Sequence, residues 1–110
     1  MLFWRSAKVW KLNPAGKMQQ VSDGFDMILG LAYDARNRLY VMELAAGNAL
    51  PAPFAGRITR VEANGTKTIV ADELMFPTAM TFGPDGNLYV SVGGILPPGA
   101  GEVVEVHLTD

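Results

Sequence analysis

The sequence predicts an all-β fold of nine short antiparallel strands with essentially no helix. Three observations lead to this prediction. A hairpin pattern occupies residues 76–94, the chain resembles itself after a shift of 49 residues, and no segment places apolar residues at the 3.6-residue spacing of a helix. Apolar residues make up 49% of the 110 positions and charged residues 18%, which is typical of a folded globular domain.

The strongest local signal is the hairpin. Residues 78–82 and 88–92 are rich in β-branched, apolar and aromatic side chains, and the second run alternates apolar and polar residues. Between the runs lies Gly-Pro-Asp-Gly-Asn, in which Pro84 fixes its own φ and Gly86 can adopt a positive φ. The pattern therefore predicts two strands joined by a tight turn.

The repeat extends this prediction over the chain. After the 49-residue shift, Leu39-Tyr40-Val41 falls on Leu88-Tyr89-Val90, and Asn37 falls on the turn glycine. Asparagine is the commonest non-glycine residue in left-handed backbone, so the same turn is predicted in both copies. A third, partial copy begins at residues 101–106, which resemble Gly56–Val61 after a shift of 45 residues.

Each unit contains four strands. The nine predicted strands span residues 7–12, 18–21, 28–33, 38–43, 57–62, 66–71, 78–82, 88–92 and 102–107. Apolar residues three apart, such as Ile58 and Val61, point to opposite faces of a strand, so these sheets need cover on both sides. Small antiparallel sheets of four strands, stacked face to face about every 45 residues, are typical of a β-propeller.

The strand count predicts a partial β-propeller of about two blades, whereas a ring of about six blades needs roughly 270 residues. Residues 1–25 would supply the last two strands of one blade, residues 26–72 a complete blade, and residues 73–110 three strands of the next. Such a unit has open edges and apolar faces. The predicted partners are therefore further blades of a longer propeller, or copies of the chain that close the ring by association.

Composition excludes other classes of partner. The net charge is −2 without a basic run, which argues against a nucleic-acid surface. The chain has no cysteine, which excludes disulfides and thiolate metal sites, and its apolar runs are too short to span a bilayer. The first residues do not form a signal-peptide pattern. We therefore expect either that the chain is not exported by that route or that its natural N-terminus is missing.

Several segments together resemble the ScyD/ScyE family, which is named for proteins of a cyanobacterial pigment gene cluster. The segments are residues 76–91 (FPTAMTFGPDGNLYVS), Leu39–Glu43, Gly56–Val61 and residues 98–103. The likeness covers most of the chain and keeps the order of the family's C-terminal half. The hairpin alone is also similar to NHL-like, TolB-like, gluconolactonase-like and sugar-dehydrogenase-like six-bladed propellers. The resemblance implies a six-bladed ring and an extracellular or periplasmic location, but it implies no reaction.

Candidate site residues come from the loops that face a propeller's central channel. Hard cations such as calcium need several converging oxygens, and Glu43 with Asn48 could supply some of them. Glu43 is the best single functional candidate, because the next copy has Val92 at its place and the fold therefore does not require a carboxylate there. By contrast, Asp23 and Asp72 recur at equivalent places, which favours hydrogen bonding to their own loops.

No complete catalytic constellation occurs. His107, the only histidine, has no metal-ligand pattern around it, and Asp85 with Gly86 lacks the alternating acids of an EF-hand. The first functional hypothesis is therefore a non-catalytic propeller segment that acts as a binding or assembly scaffold. The alternative is part of a propeller enzyme, either a metal-dependent lactonase-like hydrolase or a quinone-dependent sugar dehydrogenase, which rests on shared architecture alone.

Overall fold

The computed structural model describes residues 7–47 and 52–108, and these residues form nine strands and no helix. The strands are β1 (Ala7–Leu12), β2 (Met18–Phe25), β3 (Ile28–Tyr33), β4 (Leu39–Glu43), β5 (Gly56–Val61), β6 (Lys67–Leu74), β7 (Pro77–Phe82), β8 (Leu88–Val92) and β9 (Glu102–Val106). The predicted all-β class is confirmed. Within the described ranges there is accordingly no helical segment capable of crossing a membrane.

The strands form three antiparallel sheets in which neighbours in the chain are neighbours in space. Sheet 1 contains β1 and β2, sheet 2 has the order β3-β4-β5-β6, and sheet 3 has the order β7-β8-β9. The tight turns repeat one hydrogen-bond pattern: the Asp34 N–H donates to the Arg38 carbonyl at 3.1 Å, and the Gly83 N–H donates to the Asn87 carbonyl at 2.9 Å. Consecutive strands therefore pair as hairpins, as the turn chemistry predicts.

Backbone geometry follows the 49-residue repeat more closely than the residue identities do. Asn37 has φ 64° and Gly86 has φ 82°, so the two turns share a left-handed position despite different residues. Met27 and Phe76 are also left-handed at equivalent places, with φ 47° and 43°. These non-glycine residues mark the sharp bend at which β2 passes into β3 and β6 passes into β7.

The core lies between the sheets, and β4 contributes to both halves of it. Leu39 and Val41 join a cluster with residues of sheet 1, including Val9 and Phe25. Tyr40 and Met42 face the other way and join the core cluster of sheet 3. Successive residues of a strand point to opposite faces, so sheet 2 is covered on both sides along β4. Similarly, Ile58 and Val61 of β5 belong to different clusters, as their spacing predicts.

The strand boundaries differ from prediction mainly in β2 and β6. These two strands extend to Phe25 and Leu74, four and three residues beyond the predicted ends. The pairing of each strand with its neighbour contains register shifts. In the β1–β2 pair the shifts lie between Ala7 and Val9 and between Val9 and Trp10, and the β5–β6 pair has shifts 49 residues later. A β-bulge breaks the strict alternation of side chains, which explains why a periodicity argument ends the strands too early.

Candidate functional site

Two loops meet at one end of sheet 2. One joins β2 to β3 and contains Asp26, and the other follows β4 and begins with Leu44. The Leu44 N–H donates to the Met27 carbonyl at 2.9 Å, and the equivalent Gly93 N–H donates to the Met75 carbonyl at 2.8 Å. The fold thus places the loop that contains Asp26 beside the loop that follows Glu43.

Glu43 ends β4 and is buried, with 5% of its surface exposed. Its Oε2 accepts a hydrogen bond of 2.7 Å from the backbone N–H of Asp26. The Asp26 side chain is also buried, at 4% exposed, and its Oδ2 accepts a 2.8 Å hydrogen bond from the Gly47 N–H. The two carboxylates therefore tie the loop before β3 to the loop after β4.

These groups line a cleft of about 190 Å³, which we call the Glu43 cleft. Its lining residues are Gly24, Phe25, Asp26, Glu43, Ala46, Gly47, Arg57, Thr59, Lys67 and Ile69. Two of them are cationic. Arg57 pairs with Asp72 at 3.3 Å, and the Lys67 ammonium donates to the Asp23 carbonyl while lying 4.5 Å from the centroid of the Phe25 ring.

Burial is the main cause that raises the pKa of Glu43, and the charge of Asp26 raises it further. The hydrogen bond from the Asp26 N–H and the charges of Arg57 and Lys67 act in the opposite direction without cancelling the effect. A carboxyl group with a raised pKa can hold or release a proton nearer neutrality than an ordinary glutamate. The cleft thus combines a buried carboxyl group whose pKa is raised with two cationic side chains in its lining.

The structure describes one of the two predicted metal ligands. Asn48 lies outside the described residues, so the structure places Glu43 alone. Among residues 7–47 and 52–108, no group of three or more His, Asp or Glu side chains is arranged to hold a metal ion. Calcium normally takes six or more oxygen ligands, and the described part of the cleft brings two carboxylates together with two cations. Calcium binding by Glu43 and Asn48 stays a prediction.

The other candidates have structural contacts. The Asp72 Oδ1 accepts a 2.9 Å hydrogen bond from the Glu73 N–H, as predicted for a loop-bonding carboxylate. The Asp23 side chain instead contacts Gln20, at 3.4 Å. In the hairpin turn, Asp85 accepts hydrogen bonds from the Asn87 N–H at 3.0 Å and from the Tyr89 hydroxyl at 2.6 Å. His107 lies on the surface, 3.5 Å from a Glu105 oxygen.

Arg57 and Lys67 are not among the residues predicted for the site, because both lie within strands rather than in loops. The available signal was strand register. Predicted strands 38–43 and 57–62 pair antiparallel, and Glu43 is then directly opposite Arg57, as observed. Cross-strand neighbours of opposite charge interact favourably. The register of these two strands therefore indicates a cation beside Glu43.

A larger hollow, of about 350 Å³, lies at the other end of sheet 2 between the turns 34–38 and 83–87. Several of its polar groups are bonded to the protein itself: Arg38 Nε lies 2.7 Å from Asp34 Oδ2, Asp85 is bonded to Tyr89 as described above, and the Asn87 Oδ1 accepts a 3.0 Å hydrogen bond from the Leu108 N–H. These contacts stabilise the turns. The Glu43 cleft is therefore the stronger candidate, since its carboxylate has no counterpart at Val92 and is not required by the repeat.

Comparison with known proteins gives no further assignment. No family model, curated protein or solved structure matches the chain.

Proposed function

We propose that this chain is a segment of a six-bladed β-propeller similar to the ScyD/ScyE family, and that it acts as a non-catalytic binding or assembly scaffold. The observation that supports the segment best is the repetition of one structural unit: hairpin turns, bulges and left-handed residues recur 49 positions apart. In this interpretation β1 and β2 are the outer strands of one blade, β3 to β6 are a whole blade, and β7 to β9 belong to the next.

Packing between the sheets supports the same arrangement. The middle sheet has apolar side chains on both faces, and each face contacts a different neighbour. A two-layer sandwich covers only one face of each sheet, whereas stacked blades cover both. The separate clusters around β4 are therefore the packing that a blade inside a ring requires.

A scaffold role is favoured by what the buried carboxylates do. Glu43 and Asp26 each accept a hydrogen bond from a backbone N–H of a neighbouring loop. These bonds fix the shape of the loops around the cleft, which is a structural role. An enzyme would need acid, base or nucleophile groups that converge on a position for substrate, and only the raised pKa of Glu43 favours the hydrolase alternative.

The test is a calcium titration of the purified chain, with thermal unfolding as the readout and lactone hydrolysis as the activity assay. For a scaffold we expect neither a saturable rise in the unfolding temperature nor turnover, in the wild type and in Glu43→Gln alike. Anything that binds the folded state alone must stabilise it. A calcium-dependent rise with lactone turnover, both lost in Glu43→Gln, would instead establish the hydrolase.

A further inference from the structure

One apolar stripe of β3 is about half exposed in the described part of the chain. Leu29, Leu31 and Tyr33 alternate along the strand, so they share one face of sheet 2, and they are 48%, 49% and 52% exposed. Contiguous exposed apolar side chains on one sheet face are uncommon on an isolated domain and mark contact surfaces.

The second repeat shows what covers the equivalent stripe. The residues 49 positions later are Thr78, Met80 and Phe82 of β7, and all three are partly buried. Met80 and Phe82 pack against the cluster that contains Tyr40 and Met42 of sheet 2. The rings of Phe82 and Tyr40 meet edge to face with centroids 5.0 Å apart. The β7 stripe is therefore covered by the β3–β4 hairpin. The hairpin contacts this stripe with the face opposite to the one that contains Leu29, Leu31 and Tyr33.

The edge of β1 is exposed in the same way. Within the described residues β1 pairs only with β2, whereas its equivalent β5 pairs with both β4 and β6. Trp10 and Leu12 of β1 are 48% and 67% exposed, but their equivalents in β5, Thr59 and Val61, are 4% and 8% exposed. The position that would cover β1 is therefore the one that β4 occupies beside β5.

We propose that the β3 stripe and the free edge of β1 together form a docking surface for a two-stranded antiparallel hairpin from a polypeptide with this same repeat. The second strand of the hairpin would pair with β1, and its first strand would lie over the β3 stripe. The proposal rests on the proposed function in one respect, since both depend on the structural equivalence of residues 49 positions apart.

The repeat also specifies the chemistry of the hairpin. Gly30 of β3 faces sheet 3, and an added Cβ there would lie 3.2 Å from the flexible end of the Met42 side chain and 3.8 Å from the Met80 side chain, so a small residue such as alanine fits at that position. Lys8 of β1 is equivalent to Arg57, whose cross-strand neighbour is Glu43. A matching hairpin would therefore carry an acid at the end of its second strand, opposite Lys8.

A second copy of the chain fits less well. Its β7–β8 hairpin has the right free face, with Ala79 and Thr81 exposed. However, β8 is already paired along its other edge with β9. If that hairpin docked, β9 of the second copy would need the position that β1 of the first copy already fills. The occupant must therefore be a hairpin whose second strand has a free edge.

The probe is a cyclised synthetic peptide of residues 27–44, which contains the β3–β4 hairpin, added to the full 110-residue chain. Cyclisation reduces the ordering cost of an isolated hairpin. We expect amide hydrogen exchange in β1 to slow at least tenfold at saturating peptide, with little change in β9. Leu31→Glu in the chain should weaken binding by about tenfold or more, because a carboxylate would be buried against the peptide.

Two controls separate docking from misfolding. Val103→Glu alters another exposed apolar position, 71% exposed on β9, and should leave peptide binding unchanged. Lys8→Glu should weaken binding about threefold, and a peptide carrying Glu43→Lys should restore it. Restoration by the charge exchange cannot arise from a damaged fold.

Unchanged exchange in β1, or equal binding by wild type and Leu31→Glu, would overturn the proposal. It would also be overturned if the chain without peptide were a dimer that Leu31→Glu converts to a monomer, since a second copy would then be the occupant. The calcium and lactone measurements report on the Glu43 cleft and do not depend on this outcome, so failure of docking and failure of the scaffold role are distinguishable.

Discussion

Glu43, the last residue of β4, is hydrogen-bonded to Asp26, which lies 17 residues earlier in the loop before β3. Its carboxylate is the acceptor for the Asp26 N–H, and burial removes water as a substitute acceptor. The repeat has a valine at the equivalent position, yet the loops there still meet through the Gly93 N–H. Glu43 therefore adds a second connection at one end of sheet 2 without being essential for the repeated fold.

Replacing Glu43 tests that connection. Glu43→Ala leaves the Asp26 N–H without its acceptor, whereas Glu43→Gln keeps a side-chain oxygen at the same place. We expect the alanine variant to be less stable than the glutamine variant by about 1–3 kcal/mol in urea unfolding at pH 7. Equal stabilities of the two variants would mean that the hydrogen bond is dispensable.

The pH dependence of stability follows from the raised pKa of Glu43. The folded state holds this proton more tightly than the unfolded state does, so ionisation opposes folding. The contribution is fully present below the ordinary pKa of 4.5 and is lost as the pH rises through the higher folded value. We expect Glu43→Gln to gain stability over the wild type as urea unfolding is moved from pH 4 to pH 7. A difference that does not vary with pH would contradict the raised pKa.

At the scale of the strand, the sequence predicts the structure well where side-chain alternation and turn chemistry agree. β1, β3 and β8 have the predicted bounds, and the turn at Asn37 matches the glycine turn 49 residues later. The predicted ends of β2 and β6 fall short of the observed ends, because bulges interrupt the alternation. Periodicity contains no information about such interruptions.

The candidate site was predicted in part for a related reason. Glu43 stands out because its counterpart is Val92, and that contrast is visible in the sequence. Its hydrogen bond to Asp26 depends on how two loops fold, and the cations Arg57 and Lys67 reach the cleft from strand interiors. Spacing along the chain identifies a residue that departs from a repeat, but three-dimensional register decides which residues surround it.

The bend between β6 and β7 depends on the absence of a side chain at Gly56, the first residue of β5. A Cβ there would lie 2.4 Å from Pro77 Cδ and 2.8 Å from the Leu74 carbonyl oxygen. Neither a proline ring nor backbone can move aside easily. We therefore expect Gly56→Ala to reduce the free energy of unfolding by about 1–3 kcal/mol in urea denaturation.

Gly94→Ala is the matched control for this prediction. Its added Cβ would meet only ordinary contacts, 3.8 Å from the Ser91 hydroxyl and 3.9 Å from that of Thr78, and its backbone is not left-handed. We expect its stability to remain within about 0.5 kcal/mol of the wild type. If both glycine variants were equally destabilised, loss of glycine flexibility rather than crowding at Pro77 would be the cause.

At the scale of the whole molecule, β4 links the three sheets into one unit. All five of its residues are buried, and its two faces belong to different core clusters. Removal of a side chain from either face should therefore weaken the packing against one neighbouring sheet. Because β4 belongs to both clusters, its own stability should fall as well. Since sheets 1 and 3 both pack against sheet 2, neither is expected to unfold alone.

Leu39→Ala and Met42→Ala test this linkage from opposite faces. Each deletes a buried side chain, 4% and 0% exposed, and should lower the unfolding free energy by about 2–5 kcal/mol. Leu29→Ala, the same chemical change at a half-exposed position of the adjacent strand, should cost no more than about 0.5 kcal/mol. Residue-resolved hydrogen exchange in low urea should show amides of all three sheets becoming less protected together in both core variants. If Leu39→Ala affected only sheet 1 and Met42→Ala only sheet 3, the sheets would be separate units and β4 would not couple them.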